Sequence, residues 1–209
     1  MARPLGSGPI HIYLGFGPPV RSPVPAGLPA PVGPAGAVYF GTTRAGPDID
    51  EQNDFYPVMN DLTGPKQSMD EGFAGREDTI SLVMSSWFQG GDNVLENFLN
   101  PAANAALRGT NLLSDLGTLM LSEGRTIGMW LVKAAGAKAV NVAAALPVGR
   151  YYPTCIMVGP NKLVEGNKEN LRVRVFRAKK DIWAINQNLL PLFREDNAAF
   201  AGLPAPFFG

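Results

Sequence analysis

The sequence has little of what catalytic and metal-binding sites are usually built from. Its 209 residues include one cysteine, Cys155, and one histidine, His11. One cysteine excludes an intrachain disulfide, and together the two residues cannot form a Cys/His zinc cluster. A Ser-His-Asp triad would have to be built around residue 11. His11 lies in an apolar strand candidate and Cys155 has no basic neighbour in sequence, so both are interpreted as packing residues.

Net charge and long hydrophobic runs are also lacking. Lys and Arg total 18, as do Asp and Glu, so the formal net charge is zero. We therefore expect no overall attraction to nucleic acid or to an anionic membrane. No apolar run is long enough to span a bilayer, and the first residues do not resemble a signal peptide. These observations predict a protein kept in a reducing, soluble compartment without a membrane partner.

Glycine and proline, in contrast, are abundant. The 24 glycines and 19 prolines make up about a fifth of the chain, which favours a loop-rich β protein. Nine of the prolines and seven of the glycines fall within residues 1–36, which predicts an N-terminal arm with one short strand at 10–16. This arm is either a flexible tail or an extended segment lying across a neighbouring subunit. Residues 37–195 are assigned to the main domain, and 196–209 to a C-terminal docking tail.

Strand signals recur along the main domain. The clearest is at 79–88, where Ile80, Leu82 and Met84 alternate with Thr79 and Ser81, as in a half-buried strand. Further strands are predicted at 112–121, 127–134, 151–158, 171–176 and 181–185. The alanine-rich segment 134–149 favours a strand pair over a helix, 161–170 is predicted as a turn or loop, and one short helix is expected at 93–108. This pattern predicts a mainly β fold with a single β-sandwich or barrel domain.

Residues 47–78 are predicted to form a long ordered loop, because the segment is too long for a hairpin turn and carries several apolar anchors. Residues 48–78 contain nine acidic and two basic residues, a net charge of −7, whereas 162–194 carry a net charge of +5. These segments are predicted to pair, within one chain or between copies. Alternation places Arg172 and Arg174 on one strand face, suited to carboxylates or phosphates. The predicted subunit interface comprises Asp48, Asp50, Glu51, Asp54, Phe55, Tyr56, Arg172, Arg174 and Arg177.

Other chemistries are poorly supported by these residues. Asp48, Asp50 and Glu51 lack the glycine and the closing glutamate of a calcium loop. A two-carboxylate hydrolase would need acids held by core strands, but these acids lie in predicted loop sequence. The glycine-rich pieces lack the lysine and the helix start of a phosphate-binding loop. We expect no catalytic residue, no metal and no cofactor. A soluble β-barrel enzyme or carbohydrate-binding module using the acidic loop is the alternative.

Three consecutive motifs, YFGTTRAGPDI at 39–49, FYPVMNDLTG at 55–64 and GFAGRED at 72–78, resemble the opening of phage tail tube and related virion proteins. The long Pro/Gly segment at 18–36 departs from that pattern. The resemblance implies a virion structural subunit, assembled in the host cytoplasm, that closes into hexameric rings. Stacked rings would form a conduit through which DNA passes without specific binding, with copies of the chain and other virion proteins as partners. The alternatives in this class are a head-to-tail collar or adaptor protein and a capsid decoration protein.

Overall fold

The computed structural model describes residues 8–17, 33–60, 67–87, 95, 126–133, 149–158, 162–164, 171–180, 192–195 and 199–204. These ranges contain eight strands: β1 Ile10–Phe16, β2 Val38–Thr43, β3 Asp48–Asn60, β4 Gln67–Trp87, β5 Ile127–Lys133, β6 Gly149–Met157, β7 Lys162–Val164 and β8 Leu171–Ala178. One 3-10 turn, Pro34–Gly36, precedes β2. In this part of the chain, no helix has the length and apolar character needed to cross a membrane.

The strands form a closed antiparallel barrel. Their order is β3-β4-β2-β1-β5-β6-β8-β7, and a further pairing between β4 and β8 closes six of them into a ring. Residues 78–84 of β4 pair with 172–178 of β8 to make this closure. Closure gives each of the six strands a hydrogen-bonded neighbour on both sides. The prediction of a mainly β protein with a single barrel domain is therefore confirmed.

The barrel interior is filled by alternate apolar residues of the six strands. Ile80, Leu82 and Met84 of β4 are fully buried, whereas Thr79 and Ser81 are partly exposed, which confirms the alternation predicted there. The other strands contribute Ile10, Ile12, Leu14, Phe40, Ile127, Met129, Leu131, Tyr152, Cys155 and Phe176. Each large apolar side chain buried in this way contributes about 1.5–3 kcal/mol to stability.

A second group of buried side chains lies outside the barrel, where residue 37 and residues 199–203 pack on β1, β2 and β5; we call it the outer cluster. It comprises Tyr13, Ala37, Tyr39, Trp130, Val132, Ala199, Phe200 and Leu203. The Trp130 indole N–H donates to the Ala199 carbonyl at 2.6 Å, and its ring stacks on Tyr151 at 4.4 Å. Because residues 199–203 cover this face, β1 and β5 are buried on both sides.

Three sequence predictions need correction. The long loop at 47–78 is instead formed largely by β3 and β4, whose backbones pair from Asp48–Ser81 to Asn60–Gln67. Two β-bulges and many acidic side chains hide this strand pattern in the sequence. Residues 162–164, predicted as turn or loop, form β7. The strand Ile10–Phe16, assigned to the N-terminal arm, lies within the barrel between β2 and β5.

Several predicted elements cannot be compared with the structure. The strands at 112–121 and 181–185, most of the helix at 93–108 and the alanine-rich segment up to residue 148 lie outside the described residues.

Gly149 provides a test of the contact between the barrel and the outer cluster. A methyl group at this position would overlap the Leu131 carbonyl and come within 3.0 Å of the Phe200 ring. We expect Gly149→Ala to destabilise the protein by about 1–3 kcal/mol in urea unfolding, because the backbone carbonyl has little room to move. Gly75→Ala, where a methyl group meets nothing within 4 Å, is the control. Equal midpoints for the two variants would contradict the packing described here.

Candidate functional site

β4 belongs to the barrel over only half of its length. Residues 78–87 pair with β8 and β2, whereas residues 67–77 pair with β3. At about 3.3 Å per residue, the second part extends the sheet by about 35 Å. We call residues 51–60 and 67–77 the hairpin arm. It is a two-stranded extension of one wall of the barrel.

Aromatic rings lie on both faces of the hairpin arm. Phe55 is opposite Phe73 in the register, and their rings meet edge to face at 5.6 Å. On the other face, the Tyr56 ring lies over Gly72, so closely that a side chain at Gly72 would overlap it. Phe55 and Phe73 are each 59% exposed, and Tyr56 is 54% exposed.

The three rings leave a substantial apolar surface exposed. Aromatic side chains bury about 150–250 Å² each when fully packed, so rings half exposed leave on the order of 300 Å² in contact with water. This surface is divided between the two faces of the arm, with Phe55 and Phe73 on one and Tyr56 on the other. Isolated two-stranded hairpins are marginally stable in water. The hairpin arm therefore presents exposed aromatic side chains on both of its faces.

The acidic residues predicted for the interface divide between the two faces of β3. One face of β3 carries Asp48, Asp50 and Asp54, which lie at alternate positions and are exposed. Glu77 of β4 is opposite Gln52 in the register and therefore lies on the same face. We call these four carboxylates the acidic face. Glu51 lies on the opposite face, so the structure separates it from the three aspartates.

Glu51 belongs to a network of ion pairs at the root of the hairpin arm, which we call the clamp. Its two carboxylate oxygens accept from Arg76 and Arg150, each at 2.8 Å. Arg150 also donates to Glu195 at 2.9 Å, and Arg76 donates to the fully buried Asp78 at 2.8 Å. The clamp thus joins β3 and β4 to β6 and to the C-terminal segment.

Aromatic residues complete the clamp. The guanidinium carbons of Arg76 and Arg150 lie 5.2 and 4.4 Å from the centre of the Phe193 ring, within cation–π range. The Tyr152 hydroxyl donates to Asp78 at 3.2 Å. Hydrogen bonds from Arg150 hold the pKa of Glu51 below its ordinary value, and the hydrogen bond to Asp78 raises the pKa of Arg76. Glu51, Arg76 and Arg150 are consequently charged at neutral pH.

The predicted basic residues lie in different places. Arg177 and Lys179 both bind Glu77, at 2.6 and 3.0 Å, so this acid–base pairing occurs within one chain. Arg174 is fully buried and shares the inward side of β8 with Arg172, so Arg174 is not on the surface predicted for it. The alternating sequence of β8 does not indicate which side faces the barrel interior.

The single histidine and the single cysteine, His11 and Cys155, are both buried. His11 is 3% exposed, with Nδ1 at 3.3 Å from both the Tyr39 and the Thr42 hydroxyl oxygens, and burial lowers its pKa. Burial likewise raises the pKa of the Cys155 thiol, which disfavours the reactive thiolate. Among the residues that the structure describes, no group of three or more His, Cys, Asp and Glu side chains could hold a metal ion.

Sequence reasoning missed several residues of this region. Gly72 and Phe73 lie in the glycine-rich motif GFAGRED at 72–78. A hairpin prediction for this segment would have paired them with Tyr56 and Phe55. Arg150 and Glu195 carried no such signal, since they are 99 and 144 residues from Glu51 in sequence.

Comparison of the chain with protein-family models and with curated proteins gives no match. The evidence for a function is therefore the geometry of the hairpin arm and the resemblance of its sequence motifs to those of phage tail tube proteins.

The clamp predicts a dependence of stability on pH. Because the pKa of Glu51 is lower in the folded chain than its ordinary value of 4.5, its contribution is present above pH 4.5 and is lost as pH falls further. The side chain is 41% exposed, so solvent screening limits the loss in Glu51→Gln to about 1 kcal/mol at pH 7. Urea unfolding at pH 7 and pH 3.5 should show a smaller difference between wild type and variant at the lower pH.

Asp50→Asn is the matched control, because Asp50 is exposed on the other face of β3, where its carboxylate accepts a hydrogen bond from the Gln52 side chain at 2.9 Å. We expect it to change the free energy of unfolding by less than about 0.5 kcal/mol. A larger effect for Asp50→Asn than for Glu51→Gln would contradict the role assigned to the clamp.

Proposed function

We propose that this protein is a structural subunit of a phage tail, which assembles into stacked, hexameric rings that form a conduit for DNA. The observation that carries this proposal is the hairpin arm, which has three exposed aromatic rings and continues from the wall of a closed barrel beside the acidic face. Exposed apolar surface is common at sites that contact other proteins, and an assembling subunit requires such a site.

The motifs that resemble tail tube proteins support the same function, because they coincide with this structural feature. YFGTTRAGPDI spans the end of β2 and the start of β3, FYPVMNDLTG begins at the exposed Phe55, and GFAGRED contains Gly72, Phe73 and Arg76. The residues that suggested the family are thus those that build the hairpin arm and its root.

In this function the barrel is the body of each subunit and the hairpin arm is the contact between subunits. Contacts between two different surfaces of identical chains generate rings or open stacks, as a tube requires. The neutral overall charge suits a conduit, because a strongly basic lumen would retain DNA instead of letting it pass. The partners are copies of the same chain and other virion proteins, and the location is the virion, after assembly in the host cytoplasm.

The assembly proposal predicts a dominant role for the acidic face. Reversing Asp48, Asp50 and Asp54 together to lysine should abolish rings and tubes in negative-stain electron microscopy while leaving the melting temperature within a few degrees of wild type. Glu51 is left unchanged, because its loss would disturb the clamp and confuse folding with assembly. The triple asparagine variant, which removes the charge without reversing it, should assemble less efficiently than wild type.

Imaging of the wild-type protein tests the function itself. Tubes or six-fold rings support a tail subunit, and binding to capsids alone would instead favour the decoration or collar alternative. A lasting monomer with saturable sugar or metal binding would contradict every structural role. Undiminished assembly of the lysine variant would disprove the part given to the acidic face.

A further inference from the structure

The C-terminal residues that the structure describes lie against the start of β6. We call residues 192–195 and 199–203 the C-terminal strap. The backbones of Arg194 and Tyr151 are joined by two hydrogen bonds, each 2.8 Å long. Tyr151 is opposite Trp130 of β5 in the register, so Arg194 lies along the other edge of β6. The C-terminal strap therefore covers an edge of the barrel wall.

This edge of β6 is open because β8 ends. Ala178, the last residue of β8, is opposite Asp78 of β4 on one side and Cys155 of β6 on the other. Beyond this level β4 continues into the hairpin arm and β6 continues to its first residue, and none of the described strands lies between them. The clamp spans this opening, and the C-terminal strap lies against the clamp.

The first part of the C-terminal strap shields the clamp from water. The Phe193 ring contacts the guanidinium groups of Arg76 and Arg150, and Glu195 accepts from Arg150 at 2.9 Å. With these neighbours in place the Arg150 side chain is only 14% exposed. Without them the ion pair between Arg150 and Glu51 would be open to solvent, where such pairs contribute little to stability.

The second part of the C-terminal strap docks on the outer cluster. Phe200 is fully buried, and its ring lies so close to Gly149 that a methyl group there would come within 3.0 Å of it. The Ala199 carbonyl accepts from the Trp130 indole at 2.6 Å. Leu203 is also buried in the outer cluster. Burial of these apolar side chains holds this part of the strap on the barrel.

Tyr151 connects the two parts of the C-terminal strap. Its ring stacks on Trp130, which binds Ala199, and its backbone pairs with Arg194. Residues 195 and 199 are four positions apart in the chain, which limits the distance between them to about 14 Å. We therefore expect the two parts to dock and to detach together.

We propose that the C-terminal strap controls the order of the hairpin arm. While the strap is docked, the clamp is shielded and fixes Glu51 and Arg76 at the root of the arm. Release of the strap exposes the clamp to water. The two strands of the arm pair with each other and with no other described strand beyond Asp78, so the arm then opens more often.

The arm loosens under these conditions but does not detach. The other face of its root stays bound, because Glu77 pairs with Arg177 and Lys179 independently of the C-terminal strap. The coupling is a property of the single chain and does not depend on the proposed function. A partner protein that takes up the strap would change the arm that the chain presents to its neighbours.

Hydrogen exchange measured by mass spectrometry tests the coupling from a site outside the arm. Phe200→Ala removes a buried ring of the outer cluster, which is part of neither the clamp nor the arm. We expect amide exchange to become about tenfold faster in peptides covering 51–60 and 67–77. The protein is kept below the concentration at which light scattering detects assembly, so that contacts between copies do not protect the arm.

Leu14→Ala is the matched control, because Leu14 is fully buried in the barrel core and is not part of the outer cluster. It destabilises the barrel without releasing the strap, so exchange in the arm should stay within about twofold of wild type. Milder versions of the two changes, Leu203→Ala and Ile12→Val, repeat the comparison if either protein fails to fold. Equal acceleration in the arm by the strap variant and the core variant would indicate general destabilisation and overturn the proposal.

Coupling of this kind is reciprocal, so a change in the arm should also alter the strap. Glu51→Gln weakens the clamp from the side of the arm, and we expect exchange in a peptide covering 192–195 to become about threefold faster. Asp50→Asn, on the other face of β3, should leave that peptide unchanged. Faster exchange in the strap of Phe200→Ala with unchanged exchange in the arm would show that the two move independently, which contradicts the proposal.

Discussion

The hydrogen bonds between β4 and β8 are the interaction on which the rest of the structure depends. They join the two ends of a six-stranded sheet and so enclose the barrel core. They also orient the hairpin arm, because β4 is one strand of 21 residues that continues from the barrel wall into the arm. Any movement of the arm at its root must therefore bend a strand that is paired on both sides at residues 78–81.

The clamp adds side-chain interactions at the point where this support ends. It places two guanidinium groups between three carboxylates and over one aromatic ring, and so neutralises charges that would otherwise be costly near the barrel wall. It also includes Phe193 and Glu195, which precede the residues that cover the outer cluster. The position of the arm and the packing of the C-terminal segment are thus linked through the same ion pairs.

The positions of the buried and exposed side chains support the proposed function. The single histidine and the single cysteine, His11 and Cys155, are buried, while large apolar rings on the arm and valines on the barrel wall are exposed. The exposed rings of the hairpin arm are the feature on which the proposed function rests.

Prediction from the sequence succeeded where the evidence was local. The alternation of Ile80, Leu82 and Met84 indicates a half-buried strand because side chains in a strand change sides at each residue, and the abundance of glycine and proline indicates a β protein. The acidic residues of 48–78 were likewise recognisable as a group. The hairpin arm was missed, because two β-bulges interrupt the alternation and the residues that pair with each other are up to 33 positions apart.

The sequence by itself determined the strand-rich fold class, the apolar core positions and the unusual charge of one segment, since each is a property of residues close together in the chain. Only the tertiary structure decided that Glu51 is bound by Arg150, that Arg174 faces inward and that the aspartates share one exposed face. Those facts depend on which strands become neighbours and which side of the sheet closes around the core. Both are settled by barrel closure between segments about 100 residues apart in the chain.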